Sequence, residues 1–267
     1  MKSTPLTIVL REFVRAAREW RIWLFLGLLD VKNRFRRSAV GPLWIFLSLI
    51  VTSAGAGLVY GVLFDQPLTQ FLPILTAGLV VWTFLVTTLT EGGYAFVGAE
   101  GYIKQFSQPM QIYLFRAFVN HAVVLGMGLL VVFLVLLSLQ GPPVLNVILA
   151  LPGLLILLLA GLAHVVLSAY VTTRFRDFPH AMGGFLQVLF FVTPVILPVD
   201  ALREHKLALV YQLNPAHYLI DIVRHPLVTA EFASRDSYFF GGVYLCIVWL
   251  IALRIASYWG SRIVFLL

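Results

Sequence analysis

The sequence predicts an all-α membrane protein. Long apolar runs recur along the chain, and its positive charge collects on one side of them. Of 267 residues, 60% are hydrophobic and only 12% charged, and the mean hydropathy is +0.94. Runs such as 43–64 and 144–172 are long enough to cross, since about 20 apolar residues span the ~30 Å hydrocarbon core as a helix. Within lipid every backbone amide needs a partner inside the protein, which leaves helix bundles and closed barrels. A barrel would show short alternating segments; continuous runs point to helices.

Six spans are expected, over 43–64, 71–95, 114–139, 144–172, 181–198 and 238–260. They form one membrane domain over 38–267, preceded by a cytoplasmic N-terminus over 1–37. Residues 6–37 read as one amphipathic helix lying on the membrane. Leu10, Phe13, Ala17, Trp20 and Leu24 recur at helical spacing, and Arg11, Arg15, Arg18 and Glu19 occupy the remaining surface. No short apolar core with a small-residue cleavage site follows, so this is not a signal peptide. Lys32, Arg34, Arg36 and Arg37 stand immediately before the first span, which places the N-terminus in the cytoplasm.

Alternation then sets the loops. Segments 96–113 and 173–180 and the C-terminus face inward, whereas 65–70, 140–143 and 199–237 face outward. Fifteen of the 19 Lys and Arg fall inside; only Arg203, Lys206, Arg224 and Arg235 fall outside. Gly141-Pro142-Pro143 is a tight outer turn. Segments 208–213 and 217–223 are too short to cross and too apolar for a free loop, so they read as short re-entrant helices between spans five and six. Asn214-Pro215 breaks them into two pieces. No inverted repeat of the kind found in many secondary carriers is visible.

The formal charge of +7 reflects cytoplasmic loops and not a nucleic-acid partner. Cys246 is the single cysteine, so neither an intramolecular disulfide nor a cysteine metal site can form. No glycine precedes a lysine, which excludes a Walker-type phosphate loop. This chain therefore binds no cofactor; if ATP drives it, ATP and Mg²⁺ sit on another chain. Glu91, His164 and Arg254 are ionisable residues within spans, each in a cytoplasmic half from which it can snorkel. No acidic or histidine relay lies near the midplane. Asp177 and His180 are the nearest approach to a catalytic pair and do not suffice for an enzyme.

Three features stay open between a bland and a sharper use. Gly57 and Gly61 allow close helix approach, within the chain or between subunits. Tyr60, Trp82, Phe84, Phe190, Phe191 and Trp249 pack on lipid and helices or line a pathway where flat faces suit sugars. Glu100 and Lys104, spaced i, i+4, belong to a solvated loop or to a dock for a cytosolic partner.

The stretch Asp30-Val31-Lys32-x-Arg34-Phe35-Arg36-x-Ser38-x-x-Gly41-x-x-Trp44, together with Gly78-Leu79-x-x-Trp82, Arg174-Phe175-Arg176-Asp177 and Asn214-Pro215, resembles the type-2 ATP-binding-cassette permeases that export O-antigen, capsule and teichoic acid. Val40, Ser107-Gln108-Pro109 and an uncharged tail depart from that pattern. The resemblance implies a homodimer in the inner membrane with a separate ATPase beneath each half, carrying a lipid-linked polysaccharide. It implies that the N-terminal helix gates lateral admission of the lipid end and that Glu100 and Lys104 lie on a coupling helix. Tyr60, Trp82 and Phe84 would be translocation-pathway aromatics. Lys32, Arg34, Arg36 and Arg37 either meet the anionic lipid-pyrophosphate or merely set topology. A same-architecture exporter of drugs or small lipids and a membrane-embedded glycolipid enzyme are the competing readings.

Overall fold

A computed structural model describes residues 5–36, 38–63, 66–106, 108–196 and 211–267. Among these, every regular element is a helix. The N-terminal region is two helices where one was expected: α1 (Pro5–Arg18) and α2 (Trp20–Arg34), broken at Glu19. The Ala16 carbonyl, which a continuous helix would give to the Trp20 amide, instead accepts the Glu19 N–H at 3.1 Å and the Trp23 indole N–H at 3.1 Å. A side chain inserted into the ladder in this way bends a helix. α1 buries Val9 and Ala16. α2 is not amphipathic along its length: it exposes Phe25, Leu28 and Leu29 and buries Gly27 and Val31.

α3 (Leu43–Leu63) follows a turn that explains part of the first motif. Gly41 has φ 62°, a conformation that costs a residue with a Cβ far more than glycine, and its N–H donates to Ser38 Oγ at 3.0 Å. α4 (Leu68–Thr90) is the most enclosed crossing helix and continues through a 3₁₀ turn, Glu91–Tyr94. Gly57 and Gly61 serve internal packing: a Cβ on either would lie 3.0 Å from Leu72 or Leu68 of α4.

After the short α5 (Glu100–Gln105) come α6 (Gln111–Leu139) and α7 (Val144–Arg174), joined through Gly141 at φ 94°. α8 (Phe178–Val192), α9 (Pro215–Thr229), α10 (Arg235–Trp259) and α11 (Ile263–Leu266) complete the described chain. Asn214 caps α9, accepting the Ala216 N–H at 3.0 Å, and Pro215 opens it. Asn at the N-cap followed by Pro at the first helical position is a strong start signal.

Among the described residues five helices are long and apolar enough to cross a membrane: Leu43–Leu63, Leu68–Tyr94, Gln111–Leu139, Val144–Arg174 and Arg235–Trp259. The span expected over 181–198 appears as α8, an apolar helix of 15 residues, which covers only about 22 Å. Residues 197–210, including half of the predicted 208–213 segment, lie outside the described residues. The second predicted re-entrant piece, 217–223, falls within α9. α9 packs on α7 and α4 and buries His217, Leu219, Ile220, Ile222 and Val223. α4 and α7 form the spine of the larger core, which gathers Leu75, Val81, Phe84, Leu157 and Ile222. A second core at the end carrying α1 gathers Phe96, Tyr113, Tyr170 and Ala256. There Phe13 meets Phe115 of α6 and Trp249 of α10 edge-on at 6.1 and 6.4 Å.

Candidate functional site: the basic end of the bundle

Among the described residues, charged side chains at one end of the bundle form three ion pairs. Lys104 donates to Glu100 at 2.6 Å across one turn of α5. The hydrogen bond and charge of Lys104 hold the Glu100 carboxyl below its ordinary value of 4.5, with Arg176 adding to the effect. Six residues make a marginal helix alone, and this pair bridges its first and last turns. Tyr102 and Phe106 stack beside it at 6.3 Å and remain exposed. α5 thus presents aromatic and charged side chains together.

The basic residues before α3 divide in their surroundings. Arg34 approaches Glu91 at 3.6 Å, with both side chains about half exposed. Lys32 and Arg36 line a hollow of about 670 Å³ with Leu28, Phe35, Gly41 and Pro42. Among the described residues neither forms an ion pair. Arg37 lies outside the described residues. Arg116, which sequence reasoning counted only as an inward-side charge, makes the best-formed pair: Nε and Nη2 donate to the two oxygens of Asp30 at 2.6 and 2.7 Å. Its guanidinium also faces the Tyr102 ring at 5.4 Å. Its spacing from Asp30, 86 residues, left no local signal to find.

The aromatics nominated for a pathway are not brought together. Trp82 is buried, 5.5 Å from Phe190, on the wall of a largely apolar hollow of about 520 Å³ with His164, Phe185, Asn214 and Tyr244. Phe84 is wedged against Gly161 of α7, where a Cβ has no room. It also borders a separate cavity of about 190 Å³ lined by Ser48, Thr52, Thr83, Thr87 and His121. Tyr60 lies half-buried on α3 and borders neither.

His164 does not snorkel as expected. It is 1% exposed, with Nε2 2.6 Å from the Tyr244 hydroxyl and Nδ1 3.3 Å from Thr88 Oγ1. α7 turns it into the seam with α4 and α10, where both ring nitrogens find partners, so burial carries no orphaned polar group. Tyr244→Phe is expected to remove one buried bond, worth about 1 kcal/mol. In a thermal melt of detergent-solubilised protein this lowers Tm by about 2–4 °C. Glu91 keeps its half-exposed place beside Arg34, and Arg254 is exposed on α10. Asp177 and His180 are both exposed, and neither bonds the other.

The motifs acquire physical reasons. A Cβ at Gly78 would lie 3.0 Å from the Val195 carbonyl and 3.5 Å from Arg224 Nη1, so glycine lets α4 pass the end of α8. Arg224 is buried and donates to the Pro194 carbonyl at 2.7 Å. Asn214 Nδ2 donates to Thr193 Oγ1 at 2.6 Å. Together these two side chains pin the chain that leaves α8 against α9. The Arg174-to-Asp177 motif is the α7–α8 joint: Arg174 lies over Phe175 at 5.3 Å, and Phe175 packs on Trp259 at 6.1 Å.

Comparison with known proteins agrees with this architecture. The chain is 25% identical over 209 residues to the O-antigen export system permease protein RfbA of Myxococcus xanthus, covering 76% of this chain and 80% of that protein. The family model for ABC-2 type transporters matches residues 8–228, a stretch running from the N-terminal helices through four of the five crossing helices to α9. By that match the chain is an integral membrane protein that belongs to the ABC-2 type transporter family, whose members imply a partner ATPase.

Proposed function

We propose that this chain is the permease subunit of an exporter of lipid-linked polysaccharide such as O-antigen, powered by a separate ATPase subunit. The observation that carries the reading is the alignment to an O-antigen export permease over most of both chains. Two copies assemble as a homodimer in the cytoplasmic membrane, with N- and C-termini and the basic end in the cytoplasm. The positive-inside bias of Lys and Arg supports that orientation. ATP and Mg²⁺ stay on the partner.

Each site has a role under this reading. Glu100 and Lys104 on α5 seat in the ATPase, with Phe106 as the anchor. Lys32, Arg34, Arg36 and Arg37 are the basic residues assigned to the lipid-pyrophosphate, and of these Lys32 and Arg36 line the hollow between α2 and the start of α3. Of the pathway aromatics Tyr60, Trp82 and Phe84, Trp82 is best supported, because it borders the larger apolar hollow. Energy enters as a difference in affinity of nucleotide and cargo for two states of the dimer.

Purified permease–ATPase complex in nanodiscs tests the reading. A polyprenyl-pyrophosphate-linked oligosaccharide is expected to stimulate ATP hydrolysis, and a panel of hydrophobic drugs is not. Stimulation by drugs alone would transfer the assignment to a drug or small-lipid exporter. Joint replacement of Lys32, Arg34 and Arg36 by Gln is expected to lower glycolipid stimulation about tenfold while membrane insertion is unchanged. If insertion fails instead, those charges set topology only. Phe106→Ala is expected to weaken ATPase capture by about tenfold or more. Because Lys104 holds Glu100 ionised below its ordinary 4.5, the contact is complete above 4.5 and is lost only as pH falls through the lowered pKa. Capture should therefore be flat across roughly pH 6–8.

A further inference from the structure

We propose that Arg116 is a positioning residue that links the partner-docking helix α5 to the surface helix α2, so that displacement of α5 is passed to α2. The inference rests on the reading above, in which an ATPase seats on α5. Its physical basis is one guanidinium with contacts in two directions. The edge of the Arg116 fork engages both oxygens of Asp30 on α2 at 2.6 and 2.7 Å. Its plane faces the Tyr102 ring on α5 at 5.4 Å. A two-pronged bond fixes orientation as well as distance, and a cation over a ring within about 6 Å is held by the ring's quadrupole.

Arg116–Asp30 is also the most enclosed of the three ion pairs described. Its side chains are 17% and 30% exposed, against 47% and 50% for Arg34–Glu91 and 48% and 39% for Lys104–Glu100. Solvent therefore screens it least. The seam beneath it is tight: a Cβ on Gly27 of α2 would lie 2.7 Å from Val119 and 2.9 Å from the Arg116 carbonyl. Here the backbones of α2 and α6 lie in close contact right beside the Arg116–Asp30 pair.

The same residue has somewhere else to go. Arg116 Nη1 and Asn120 Oδ1 are both buried without a hydrogen-bond partner among the described residues, and both residues line one hollow of about 200 Å³ beside Glu91 and His121. Residues 116 and 120 are one helical turn apart, so their side chains are neighbours on α6. A guanidinium that released Asp30 would find the Asn120 carbonyl oxygen within that turn. Two discrete seats for one side chain are what a transmitting element needs.

Hydrogen exchange on the full permease–ATPase complex in nanodiscs, with and without MgATP, tests this. Segments 100–105 and 20–34 are the two readouts. In the wild-type complex both are expected to change protection when nucleotide is added. In Arg116→Lys, which keeps the charge but loses the fork, and in Asp30→Asn, segment 100–105 is expected to respond as before. The response of 20–34 should fall about tenfold, the scale of a typical coupling between sites. Tyr102→Leu should uncouple similarly, and Tyr102→Phe, which keeps the ring, should behave as wild type. An unaltered response of 20–34 in Arg116→Lys and Asp30→Asn overturns the link. So does the loss of both responses together with normal ATPase capture, because that marks a merely structural residue. Failure of the wild-type chain to capture any ATPase removes the docking reading itself and this link with it. Capture followed by normal relay but no glycolipid stimulation removes only the polysaccharide assignment.

Discussion

Gly153→Val is expected to disrupt the bundle where α7 meets α9. Gly153 of α7 lies against the backbone of α9, where an added Cβ would overlap the carbonyl group of Ile222. A flexible side chain could move aside, but a carbonyl within a helix cannot move without carrying α9 with it. Inserting methyl groups into a packed core costs about 1–3 kcal/mol and more where backbone must shift; here the expected cost exceeds about 3 kcal/mol. Size-exclusion profiles and thermal melts of solubilised protein should show aggregation or a Tm many degrees lower. Gly126→Ala on α6 is the matched control. Its Cβ meets nothing within 4 Å, and alanine is the better helix former by about 1 kcal/mol. A Gly153→Val protein as stable as Gly126→Ala would show that α7 and α9 do not pack this closely.

Arg224→Met has the next largest expected effect. The side chain is 7% exposed and donates to the Pro194 carbonyl at 2.7 Å, with the Val195 carbonyl at 3.5 Å. Those carbonyls belong to the turn after α8. Methionine fills a similar volume but donates nothing, and a buried acceptor left unpaired costs about 1–3 kcal/mol. Loss of a charged donor and the resulting loosening of the turn bring the expected total to about 2–4 kcal/mol. Arg224→Lys retains a donor and should lose less. Arg235→Met, at an exposed arginine, should stay within about 0.5 kcal/mol. Urea or thermal melts decide the ranking; equal melting of Arg224→Met and Arg235→Met would remove any structural role for the buried guanidinium.

These two sites illustrate what could not be read from residues in order. Arg224 counts as an outer-loop charge when the chain is divided by hydropathy, because only the fold shows that α9 is packed inward. His164 sits close enough to a span end to snorkel, yet helix rotation turns it toward Thr88 and Tyr244. The break at Glu19 depends on the Trp23 indole reaching the Ala16 carbonyl, and amphipathic spacing carries no trace of it. Signals that are local were legible. The i, i+4 pair of Glu100 and Lys104 and the interruption at Asn214-Pro215, which the fold shows to be the start of α9, each depend on a few adjacent residues.

By itself the sequence determined that this is a helical membrane protein, because a span is a count of consecutive apolar residues against a fixed lipid thickness; of the six spans it predicted, five form helices of crossing length among the described residues. Its motifs also marked the family. The tertiary structure alone decided which helices meet, which charges pair across the fold and which polar groups are enclosed. Those depend on the rotation of each helix about its axis and on contacts between residues far apart in the chain, such as Asp30 with Arg116, Thr88 with His164 and Gly153 with Ile222.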